Sequence, residues 1–121
     1  MANWNVEITD EYYEWFQTLN TEQRRAVTTD IEVLEETGPR LGRPYVDSIK
    51  GSKHPNMKEL RTMQGRRHIR SFFAFDPRRT AILLIGGDKT GERLFYDRMI
   101  AIADRLFDEY LAELRKEGLI E

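Results

Sequence analysis

Lys58-Glu59-Leu60-Arg61-Thr62-Met63-Gln64-Gly65-Arg66-Arg67-His68-Ile69-Arg70-Ser71-Phe72-Phe73-Ala74-Phe75 decides the fold of this chain. Met57 to Met63 reads as one strand and Arg67 to Phe75 as the next, because β-forming aromatics cluster at Phe72, Phe73 and Phe75. Gln64-Gly65-Arg66 supplies the turn between them. Asp76-Pro77-Arg78-Arg79 makes a second turn, and Thr80 to Ile85 follows with a continuous apolar run, the mark of a strand covered on both faces. Gly86-Gly87 is expected to end that strand.

Working outward, Trp4, Val6 and Ile8 alternate with Asn5, Glu7 and Thr9, the period of a half-buried strand. A helix follows, with Asp10 placed to cap it and Tyr12, Trp15, Phe16 and Leu19 on one face. Asn20 and Gln23 have capping-box spacing at the head of a second helix, which Gly38-Pro39 terminates. From Gly38 to Asn56 periodicity is lost, and Gly and Pro punctuate a long basic connection suited to ligand contact. After the polar turn Asp88 to Glu92, a last helix carries Met99, Ala103, Leu106, Tyr110 and Leu114 and stops at Gly118. The order β-α-α-β-β-β-α predicts an α+β fold, a small mainly antiparallel sheet packed by helices, in one domain over residues 1–121.

The 121 residues and 14.3 kDa suit such a domain, and the absence of cysteine excludes a disulfide scaffold, a thiolate zinc site and a cysteine nucleophile. No stretch reaches the length of a membrane span, and the first residues lack a secretory signal, so a cytoplasmic location is expected. Charge is unevenly distributed. Gly38 to Arg93 holds thirteen Lys and Arg against five acids, a surplus of eight, whereas the flanks hold six against sixteen. A polyanion partner for the middle fits this division, as does a plain arrangement of acidic helices around basic strands.

With only His54 and His68 present, a multi-histidine metal site is not expected, and no Walker loop, Rossmann pattern or nucleophile elbow occurs. No cofactor is expected either. The informative residues are arginines inside strands, because a sheet disfavours charge unless a face is open to solvent or to an anion. His68 and Arg70 alternate onto one face, and Glu59 shares a face with Arg61. A hairpin register that sets Arg61 beside Arg70 would create repulsion that a phosphate relieves. The competing reading is that Glu59 or Asp88 neutralises these arginines.

Lys58-Glu59-Leu60-Arg61, Arg66 to Phe75, Ile82-Leu83-Leu84-Ile85-Gly86-Gly87-Asp88-Lys89 and Ala103-Asp104-Arg105 together resemble the HigB-like, phage-derived branch of the RelE/ParE toxin superfamily. Where many relatives read Gly-Phe-x-Lys-Lys, this chain has Gly86-Gly87-Asp88-Lys89-Thr90. The resemblance implies a RelE-like fold, metal-free and ribosome-dependent mRNA cleavage, and silencing by a cognate antitoxin with a helix-turn-helix. It also admits a ParE-like gyrase inhibitor or an inactive antitoxin-binding relative. In the cleavage reading Arg61 and Arg70 hold the scissile phosphate and Lys89 adds a third cation that serves as acid or base. His68 or His54 takes either proton-transfer role, and Tyr96 donates a proton or stacks on a base. Lys50, Lys53, His54, Lys58 and Arg67 are the expected RNA-binding residues.

Overall fold

A two-residue turn sets the register of the central hairpin. Gly65 adopts φ +61°, the left-handed conformation such turns require, and Gln64 pairs directly with Arg67 across it. The computed structural model describes residues 3–121. Its strands are β1 (Val6–Ile8), β2 (Val46–Ser48), β3 (Lys58–Gln64), β4 (Arg67–Phe75) and β5 (Ala81–Asp88), and its helices α1 (Asp10–Gln17), α2 (Thr21–Thr37) and α3 (Phe95–Lys116). The sheet runs β1-β5-β4-β3-β2; only β1 and β5 pair in parallel.

The sheet is covered on both faces. Tyr12 of α1 and Leu34 of α2 pack with Leu60, Phe73, Ala81 and Leu83 on one side. On the other, Phe95, Met99, Ala103, Leu106 and Phe107 of α3 cover Phe72, Ala74, Ile82 and Leu84. Phe72 pairs with Ile85 but Phe73 pairs with Leu83, so Leu84 is the extra residue of a β-bulge. Burial of these apolar faces is the main source of stability, at about 25 cal/mol per Å² of apolar surface removed from water.

Several sequence expectations change in detail. Thr9, not Asp10, caps α1: its hydroxyl accepts the Tyr12 N–H at 3.0 Å and donates to the Leu84 carbonyl at 2.7 Å. Asp10 sits in the first turn, where its charge faces the positive helix end. The Asn20–Gln23 capping box is present as expected. The basic connection contains a 3-10 turn at Gly38–Arg40 and the edge strand β2, so the sheet has one strand more than anticipated. Gly86 and Gly87 lie inside β5 rather than ending it, because they continue the ladder opposite Ser71 and Arg70; glycine stands there because neighbouring side chains occupy the space of a Cβ. One on Gly86 would lie 2.3 Å from the Trp15 ring, and one on Gly87 2.8 Å from the Phe95 ring.

The segment between β2 and β3 straps along α3. Ser52 donates to the Asp104 carboxylate, Lys53 to Asp108 at 2.7 Å, and His54 Nε2 lies 2.8 Å from Asp108, its ring edge-on to Phe107. Among the described residues, no helix is long and apolar enough to cross a membrane.

Gly86→Ala should lower unfolding free energy by about 1–3 kcal/mol, through overpacking against Trp15, whereas Gly42→Ala, with open space around its Cβ position, should change it by less than about 0.5 kcal/mol; urea unfolding reads both. The Lys53 hydrogen bond, with help from His54, holds the Asp108 carboxyl below its ordinary 3.8. A depressed folded-state pKa stabilises the fold above the unfolded value and loses that effect as pH falls through the folded one. The difference in melting temperature between wild type and Asp108→Asn should therefore be present at pH 5 and above and shrink below about pH 4.

Candidate active site

Arg61 of β3 and Arg70 of β4 are direct cross-strand partners, so their side chains leave the same face of the sheet. The expected open surface is only half realised. Arg61 is partly exposed, but Arg70 is 1% exposed, because α3 lies over the end of the sheet that carries it. The Nε atoms of both arginines are buried without a hydrogen-bond partner. With Pro44 and Met63 the two arginines line a cavity of about 170 Å³. Arg61 is fixed from behind by its backbone N–H, which donates to the Tyr45 carbonyl at 2.7 Å.

Both of the neutralising carboxylates considered from sequence find an arginine, and neither takes Arg61. Asp88 lies 3.4 Å from Arg67. Glu59, 6% exposed, has its Oε1 3.4 Å from Arg70 Nε, and the same oxygen accepts the Tyr96 hydroxyl at 2.7 Å. Among the described residues no carboxylate comes within 4 Å of the Arg61 guanidinium. Burial, and then the bond to Glu59, push the Tyr96 hydroxyl above its ordinary 10.0, against an opposing pull from Arg70. Asp47, opposite Glu59 on β2, is pulled down chiefly by its hydrogen bond to Arg43, with a smaller contribution from Arg61.

His68 and Lys89 complete the cluster. His68 lies two residues from Arg70 on the same face of β4, about 7 Å along the strand. The Lys89 N–H donates to the His68 carbonyl at 3.0 Å, the His68 N–H donates to the Thr90 hydroxyl at 2.8 Å, and Lys89 Nζ stands 5.6 Å from the centre of the Tyr96 ring. Arg61, Arg70, His68, Lys89 and Tyr96 thus gather at one end of the sheet.

The expected RNA-binding residues do not join them as a set. Lys58 alternates with Leu60 onto the α1–α2 side, and Arg67 alternates with Ile69 likewise, so both leave the face opposite to Arg61. Lys53 and His54 are held at Asp108, twelve residues along α3 from Tyr96, which at a rise of about 1.5 Å per residue is about 18 Å away. Lys50 is nearer, beside Asp97 and Ile100. Sequence reasoning missed Glu59 as the partner of Tyr96 and Asp104 with Asp108 as anchors for the basic strap. The i,i+4 spacing of those two aspartates was the available signal for the second.

Comparison with known proteins bears on the family. Residues 14–108 match the family model "Phage derived protein Gp49-like (DUF891)". The Mycobacterium tuberculosis protein named "Putative toxin HigB2" is 46% identical over 114 residues, covering 93% of this chain, which spans 56% of that relative's length. "Putative toxin HigB3" of the same organism is 50% identical over 99 residues, 81% of this chain and 85% of its own length. RelE in the RelE–RelB complex of Pyrococcus horikoshii superposes with a TM-score of 0.54 at 15% identity, covering 74% of this chain and 97% of that one. A free Escherichia coli RelE mutant lacking two arginines gives 0.58 at 11% identity, covering 78% and 92%. The structural likenesses establish the fold, the sequence matches establish the kinship, and the chain belongs to the phage-derived Gp49-like family, on the HigB-like branch of RelE-type folds.

Proposed function

We propose that this chain is the toxin of a toxin–antitoxin pair and cleaves mRNA on the ribosome, with Arg61 and Arg70 as the phosphate-binding centre. The observation that carries this reading is the paired register of two arginines whose Nε atoms lack partners beside a shared cavity. Like charges in direct cross-strand contact repel, and an anion between them relieves the repulsion while supplying acceptors for the orphaned donors. The HigB names of the similar mycobacterial proteins favour the toxin reading.

The reaction is an in-line transfer. The RNA 2′-oxygen attacks the adjacent phosphorus, the bond from phosphorus to the 5′-oxygen breaks, and a 2′,3′-cyclic phosphate and a free 5′-hydroxyl result. His68, in its neutral form, takes the 2′-hydroxyl proton, and the Lys89 ammonium gives one to the departing 5′-oxygen. Arg61 and Arg70 stabilise charge that builds on the non-bridging oxygens, since preorganised donors act most strongly where charge develops. Lys50, exposed beside the head of α3, tracks the RNA backbone through a salt-sensitive contact. The partner that silences the protein is a small antitoxin with a helix-turn-helix, which covers or distorts this end of the sheet.

In a translating extract, wild-type protein should cut mRNA within the translated region, mapped by primer extension. Arg61→Ala should reduce cutting about a hundredfold, corresponding to about 3 kcal/mol of lost transition-state stabilisation. Arg70→Met, which keeps the buried volume filled, should do the same, with thermal melts checking that each variant folds. Intact mRNA together with blocked gyrase supercoiling would instead establish the ParE-like activity. Cutting that survives both substitutions would remove the arginines from the centre.

A further inference from the structure

Glu59 has no part in the transfer step, yet it is the carboxylate nearest the buried arginine. Its geometry is unusual for so enclosed a pair. Charge-assisted N–H···O bonds settle near 2.7–2.9 Å, whereas Glu59 Oε1 stands 3.4 Å from Arg70 Nε, and that Nε makes no hydrogen bond. With Arg70 1% and Glu59 6% exposed, little water is at hand to compensate. Something holds the carboxylate back. The same Oε1 accepts the Tyr96 hydroxyl at 2.7 Å, and the Tyr96 ring is fixed edge-on against Phe72 and Phe95, with centroids 6.1 Å and 5.3 Å away.

We infer that Tyr96 is a positioning residue: it holds Glu59 off Arg70 and so prevents the guanidinium from closing into a pair with its own carboxylate. This deepens the nuclease reading and rests on it for its consequence, because a closed Arg70–Glu59 pair would place an internal anion where the RNA phosphate is to bind. Glu59 still offsets the charge of Arg70 at a distance, which lets the arginine stay buried. Tyr96 thereby keeps that compensation from becoming competition. A role for Tyr96 as proton donor would leave binding of an uncleavable RNA unchanged, and a role as stacking surface would survive loss of the hydroxyl alone, and this separates the readings.

The test is a double-mutant cycle on the full chain, using an RNA oligonucleotide made uncleavable by 2′-deoxy substitution and followed by fluorescence anisotropy. Tyr96→Phe keeps the packed ring and removes only the hydroxyl. It should weaken binding on the order of tenfold, the scale of one hydrogen bond to a charged group. Adding Glu59→Gln should return affinity to within about threefold of wild type, because an uncharged amide competes poorly for the guanidinium. An unchanged Tyr96→Phe variant, or a double variant as weak as Tyr96→Phe, would overturn the inference. A second readout needs no RNA: the Arg70 Nε–H resonance, identified by its loss in Arg70→Lys, should move downfield in Tyr96→Phe as the closed pair forms. A resonance that stays in place also overturns it. If the wild type binds no oligonucleotide, the nuclease reading fails, and the resonance decides by itself whether Tyr96 holds the pair open.

Discussion

The guanidinium of Arg70 is enclosed between two strands and a helix, and the surrounding structure is organised by the need to tolerate it. A lone buried cation is expensive to desolvate, and ordinary packing offers no remedy. Here the side chain donates to the Ile69 carbonyl at 3.1 Å and has Glu59 as counter-charge. Glu59 is available because it sits two positions before Arg61 on β3, on the same face. Tyr96 is available because α3 begins over this end of the sheet. One buried charge thus ties β3, β4 and α3 together. It also leaves the second arginine unbalanced: in the Arg61, Arg70 and Glu59 group two cations face one carboxylate.

The position of α3 follows from small features of β5. Gly87 leaves room for the Phe95 ring, and Gly86 on the other face leaves room for Trp15, so helices approach both sides of the same strand end closely. The bulge at Leu84 allows Phe72 to meet Ile85 while Phe73 meets Leu83. Together these features bring Tyr96 and Lys89 to the sheet face that bears Arg70. The geometry of the side-chain cluster is thus set by backbone spacing as much as by the side chains themselves.

How far the sequence was legible depends on how local the cause was. The hairpin and its glycine turn were local signals, but the pairing of Arg61 and Arg70 stood only as a condition on the register: a three-residue turn Gln64-Gly65-Arg66 would set Arg61 opposite Ile69, and it is the two-residue turn that sets it opposite Arg70. The burial of Arg70 was not legible, because it depends on a helix that begins twenty-five residues later. β2 went unread since Val46–Ser48 is too short to show alternation amid prolines and glycines. Gly86-Gly87 resembled a stop signal because composition does not reveal a tryptophan and a phenylalanine pressing from either side. The opposite facing of Lys58 was implicit in its alternation with Glu59 and Arg61. Lys53 and His54 find their aspartate more than fifty residues away, beyond any local pattern.

The division of charge along the chain takes on a different meaning in three dimensions. Part of the basic surplus in the middle is spent internally on the acidic flanks: Lys53 on Asp108 and Arg78 on Glu7, besides its bond to Asp76. These contacts bind the strap to α3 and the β4–β5 turn to β1; the Lys53 pair is largely exposed and contributes modestly, whereas Asp76 is buried beneath its arginine. At the other end of the sheet Arg43, Arg61, Arg70 and Lys89 stand with Asp47 and Glu59. A field from four cations and two carboxylates, set against apolar walls at Pro44 and Met63, favours an anion that carries apolar surface beside its charge. A nucleotide diester has that character and a small inorganic anion lacks it, so the chain's acidic total does not argue against an RNA substrate.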